Sequence, residues 1–90
     1  MSEDPRESRQ VRLSDLAAAA FLIAQGCHLA GVRPGVTHGR QEFVVEGEPR
    51  LISRLLEAYE RGRAVVDLDA FLSAQRLLKD RLFRSGRTRS

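Results

Sequence analysis

Cys27 and His28 carry the most reactive side chains of this chain, and they are neighbours. In an extended segment adjacent side chains point to opposite faces, so a thiol and an imidazole at this spacing cannot converge on one metal ion or form a thiolate–imidazole pair. The other histidine, His38, follows a stretch containing Pro34 and Gly35, and no carboxylate stands at a fixed spacing that would complete a ligand set. Gly31, Gly35 and Gly39 suggest a phosphate cradle at first sight. They belong to a strand–turn–strand pattern, however, and neither a GxGxxG nor a Walker-type motif is present, so turn glycines are expected. The acid pairs Glu57 and Glu60, and Asp67 and Asp69, occupy positions where solvated helix faces and caps place carboxylates. The reading is therefore of a chain with no catalytic residues, no cofactor and no metal site: not an enzyme.

Charge has more functional pull. The formal net charge is +3, but from Arg76 onward six bases and one acid give +5, which leaves −2 on the rest. Arg76, Lys79, Arg81, Arg84, Arg87 and Arg89 are candidate nucleic-acid contacts, because guanidinium forks and ammonium groups bind backbone phosphates without a preformed groove. No aromatic residue interleaves positions 84–90, which argues against base stacking and sequence-specific readout. Arg76, Asp80 and Arg84 follow at i, i+4 spacing, where ion pairs form on a helix surface. A second candidate surface is Ala70, Ala74 and Leu77, which on one helical flank would offer a second chain a place to dock.

Ninety residues, 42% of them hydrophobic and 30% charged, suffice for one modest core. The lone cysteine excludes an intramolecular disulfide and points to a reducing compartment, the cytoplasm. The longest apolar run, residues 16–24, falls far short of the roughly 20 residues that span a membrane. Residues 1–12 mix acids with arginines, unlike a signal peptide. Residues 1–10 read as a disordered arm and 84–90 as a flexible basic tail, with a single domain between, at 11–83.

Within that domain Val11 to Leu13 can form an edge strand, and Ser14 is the expected N-cap of a helix over residues 15–25. Its apolar residues point almost all round, which marks a helix covered on several sides, and Gly26 stops it. Residues 27–33 and 41–46 read as a β-hairpin in which Phe43 and Val45 share the buried face, with a bulge expected at Gly31. Pro49 opens a second helix striped by Leu51, Ile52, Leu55, Leu56 and Tyr59, and Gly62 ends it. Asp67 caps a third helix running to about Phe83, with Leu68, Phe71, Leu72, Leu78 and Leu82 as its core stripe. The fold expected is α+β: a β-hairpin or three-stranded antiparallel sheet with three helices on one face.

Several of these features occur together in a fixed order. They are Ser14-Asp15-Leu16 before an alanine-rich helix, Gly26, Leu29-Ala30-Gly31-Val32, Phe43-Val44-Val45-Glu46, Leu55 to Tyr59 with Gly62, and Val66-Asp67. In that order the chain resembles a family of short bacterial, archaeal and phage proteins known as a domain of unknown function, over about residues 11–83. The resemblance implies a shared fold and a prokaryotic or phage setting, and carries over no catalytic residue. The expected function is that of a small accessory or interaction domain, engaging a protein partner or its own copy through a helix face or the hairpin edge. Nucleic-acid binding by the arginine-rich end is the alternative.

Overall fold

The structure is a computed structural model that describes residues 8–35 and 40–88, with side chains as far as Arg84. Along the chain run β1 (Arg9–Leu13), α1 (Leu16–Ala24), β2 (His28–Pro34), β3 (Gln41–Gly47), α2 (Pro49–Glu60) and α3 (Leu68–Thr88). The strands form one antiparallel sheet in the order β1-β3-β2. The hairpin closes where the Gly35 N–H donates to the Arg40 carbonyl at 2.9 Å.

Strand alternation puts Phe43 and Val45 on one face, and both are buried in a cluster with residues of all three helices. Val44 points to the other face, where its register partners are Arg12 and Gly31. Leu29 and Val32 lie an odd number of residues apart and would face opposite sides of a regular strand. The register shift between Leu29 and Gly31 absorbs one residue, so that Leu29 pairs with Val45 and Val32 with Phe43, and both side chains pack on the core.

α1 is the hub of the core. Ala18, Ala19, Ala20, Phe21 and Leu22 are all buried, a run possible only for a helix covered on several sides, and α1 touches the sheet, α2 and α3. Its N-cap is Asp15 rather than Ser14: the carboxylate accepts the Ala17 N–H at 3.0 Å from an extended backbone. Gly26, at φ 107°, ends the helix in a conformation that costs a side-chain-bearing residue steric energy. α2 begins with Pro49 behind a Glu48 cap and turns Ile52 fully inward, with Leu51, Leu55, Leu56 and Tyr59 half-buried against the same core.

α3 departs from expectation in two ways. Its buried stripe is Ala74 and Leu78, flanked by half-buried Phe71 and Leu82, whereas Leu68 and Leu72 are 66% and 42% exposed. Two apolar stripes compete on this helix. Phe71, Ala74, Leu78 and Leu82 are spaced by three and four without a charge, while the stripe through Leu68 and Leu72 runs into Arg76 and Lys79. The uninterrupted one is buried. The helix also continues through Arg84 to Thr88 instead of ending near Phe83. Gly86 costs a helix only about 1 kcal/mol, no proline intervenes, and the Arg84–Asp80 pair at 3.1 Å braces the turn. At the other end, β1 begins at Arg9, inside the segment read as an arm.

The two α3 stripes should respond differently to truncation. Leu78→Ala is expected to cost about 2–5 kcal/mol in denaturant melts because it empties a closed site, and Leu72→Ala to stay within about 0.5 kcal/mol. Equal losses would show that α3 is rotated from the orientation described.

Candidate interaction surface

The residues with reactive side chains are kept apart. Cys27 is buried, with its Sγ in the space that a side chain at Gly47 would occupy, 2.9 Å from the Cβ such a residue would have. Burial pushes its thiol pKa up, away from the thiolate that nucleophilic chemistry requires. His28 is exposed on the helix-free face of the sheet, opposite Glu46. His38 and Gly39 lie outside the described residues. Gly31 forms the bulge and Gly35 closes the hairpin. Glu57 pairs with Arg61 at 3.3 Å, and Asp67 caps α3 through the Ala70 N–H at 3.0 Å. Among the described residues no group of three or more His, Cys, Asp or Glu side chains is placed to hold a metal ion.

The described basic residues of α3 do not all share one face. Arg84 is engaged by Asp80, Arg81 is half-buried, and Arg76 and Lys79 are exposed. At roughly 100° per residue, Arg81 lies on nearly the opposite side of the helix from Lys79. Arg87 falls within α3 but its side chain, like all of Arg89, lies outside what the structure describes. Lys79 and Arg40 instead meet across a groove of about 410 Å³ floored by Leu16, Phe43 and Leu82. That pairing was not legible in sequence, because the two residues are brought together only when α3 packs across α1.

Ala70, Ala74 and Leu77 do not share an open surface. Ala74 is 4% exposed and belongs to the core, Ala70 is half-buried, and Leu77 is 41% exposed on its own. The exposed apolar side chains are elsewhere: Val65 (82%), Leu68, Leu72 and Phe83 (62%). At helical spacing Leu68 and Leu72 lie roughly 40° apart, on a flank of α3 about 80–120° round from Leu78. Val65 precedes that flank, and its carbonyl is held by the Gln25 side-chain amide at 2.8 Å. Among the described residues no helix is long and apolar enough to cross a membrane.

A polar contact fixes the helices beneath this surface. The Tyr59 hydroxyl donates to Asp15 Oδ2 at 2.9 Å while its ring stacks on Phe21 at 6.0 Å, so Asp15 caps α1 with one oxygen and tethers α2 with the other. The hydrogen bond first, then burial and the Asp15 charge, raise the phenol pKa above its ordinary value.

None of the family models, curated proteins or solved structures compared with the chain matches it.

Two titrations check this geometry. Tyr59 is the only tyrosine, so its ultraviolet titration should show a midpoint above that of free tyrosine, moved back toward it by Asp15→Asn. Because the folded pKa is the raised one, the stabilisation is present at neutral pH and is lost as pH rises through the folded value. An ordinary midpoint would break the Tyr59–Asp15 tether. Cys27 should react with a disulfide reagent only slowly in the native protein and at once in denaturant; rapid native labelling would expose a reactive thiol.

Proposed function

We propose that the chain is a small, non-enzymatic accessory domain that docks a protein through the outer flank of α3. The observation that carries this reading is the second apolar stripe of α3: Leu68 and Leu72, with Val65 before them, are exposed on a flank of a helix whose neighbouring face already fills the core. Single exposed leucines are ordinary, whereas apolar side chains aligned along one flank offer a partner area to bury. The sheet edges are poorer docking sites. β2 carries a bulge and ends in Pro34, and β1 is five residues long, with Arg9 and Arg12 on it. Phosphate binding by the basic end is the weaker reading, since Arg84 is paired, Arg81 is half-buried, and the described bases do not all share one face. The lone buried cysteine suits work in a reducing compartment such as the cytoplasm, and the order of elements suits the prokaryotic and phage family that the chain resembles.

A photo-crosslinking residue at Leu72, expressed in the native host, should yield a discrete protein adduct, while the same residue at exposed Arg50 on α2 should not. A nuclease-sensitive adduct would transfer the flank to nucleic acid. Absence of any adduct, or equal adducts from both positions, would overturn the docking reading.

A further inference from the structure

We infer that the groove between Arg40 and Lys79 binds a small single-chain carboxylic acid, with the head between the two bases and the chain along Leu16, Phe43 and Leu82. Three segments distant in sequence build it. The β1–α1 junction gives Ser14 and Leu16, the start of β3 gives Arg40 and Phe43, and α3 gives Lys79 and Leu82, which stand one turn apart. A volume of about 410 Å³ falls within the range of small-molecule pockets. At roughly 30 Å³ per non-hydrogen atom, the share that a water molecule takes in the liquid, such a groove holds about a dozen atoms. It is separate from the flank of Leu68 and Leu72, so filling it neither needs nor excludes the docking of a protein there.

Charge selects the ligand. Among the described residues no carboxylate lines the groove, although three acids adjoin lining residues in sequence. Asp15, between Ser14 and Leu16, is occupied by the Ala17 N–H and the Tyr59 hydroxyl. Glu42, beside Phe43, falls by strand alternation on the helix-free face, where Arg12 stands 3.9 Å away. Asp80, beside Lys79, pairs with Arg84 at 3.1 Å. Arg40 and Lys79 are exposed and, among the described residues, have no carboxylate partner of their own. A guanidinium fork and an ammonium above an apolar floor are complementary to an anionic head on an apolar body. The head accepts charge-assisted hydrogen bonds from both bases, and the exposed Ser14 hydroxyl can donate another. The chain takes the half-buried Leu16 and Leu82 out of water. An inorganic anion would leave that floor wet, and an uncharged chain would gain nothing from the bases.

Octanoate titrated into the isotope-labelled full chain should shift the backbone amide signals of Leu16, Phe43 and Leu82 saturably at millimolar concentration or below. Lys79→Met, which keeps an unbranched apolar stem, and Arg40→Met should each weaken binding about three- to tenfold, because each removes one charged donor from an exposed rim. Arg76→Met, on α3 but outside the groove, should leave the affinity unchanged. Octanol should bind at least about tenfold more weakly than octanoate, since it keeps the chain and lacks the charge. Octanol binding as tightly as octanoate, equal affinity in all three variants, or octanoate shifts confined to Leu68 and Leu72 would overturn the inference. So would the absence of any shift at millimolar octanoate. Octyl phosphate binding more tightly than octanoate would overturn the carboxylate head in favour of a phosphate. A discrete Leu72 adduct reads the other flank and would leave the docking reading standing through any of these outcomes.

Discussion

Everything in this molecule depends on how closely α1 can be approached. Helices pack about 8–10 Å apart according to the side chains at the contact, and a surface of alanines permits the near end of that range. Ala19 and Ala20 are fully buried, and α1 is flanked by the sheet, by α2 and by α3. A helix with larger residues there would hold its neighbours apart and leave voids that water cannot fill. α3 answers the alanine surface with a small residue of its own, Ala74, and with Leu78 one turn on. Setting those two inward fixes the rotation of α3, and the same rotation turns Leu68 and Leu72 outward. The open flank is therefore a consequence of the core rather than an independent feature.

Polar contacts then hold the helices at the orientation that packing selects. Asp15 satisfies an orphan N–H at the start of α1 and receives the Tyr59 hydroxyl from α2. Gln25, the C-cap residue of α1, donates to the Val65 carbonyl in the segment leading to α3, and Arg9 of β1 donates to Ser53 of α2 at 3.1 Å. Each contact is exposed and individually weak, but each joins segments distant in sequence. Together they anchor both ends of α1 and bring the Val65 connector to the place from which α3 must start. In this way the entry to the open flank is set by a side chain of the buried helix.

Much of the fold was legible in the residues. Gly26 and Gly62 mark the helix ends because both adopt positive φ, Pro49 marks a helix start, and the odd spacing of Leu29 and Val32 leaves room for the bulge that the register shows. The sheet and the α2 stripe follow from simple periodicity. What could not be read was the choice between two apolar stripes on α3, since periodicity counts apolar residues without knowing the shape of the opposing surface. Leu68 and Leu72 look like core until the alanine face of α1 is in place, and Ala74 looks like surface for the same reason. The length of α3 was underestimated because Ser85 and Gly86 read as a stop in isolation, whereas a helix already anchored by Leu78 tolerates them. The groove between Arg40 and Lys79 joins distant segments and has no local signature.

The closeness of α1 to its neighbours is tested most directly by adding volume where the structure leaves none. Ala20→Leu places three more carbons at a site with no exposure, on a residue of good helix propensity, so that any loss comes from crowding and not from the helix itself. Urea denaturation should show a loss of about 1–3 kcal/mol or more relative to the parent chain. A variant as stable as the parent would mean that α1 is not enclosed on all sides, and with that the rotation of α3 and its outward apolar flank would lose their cause.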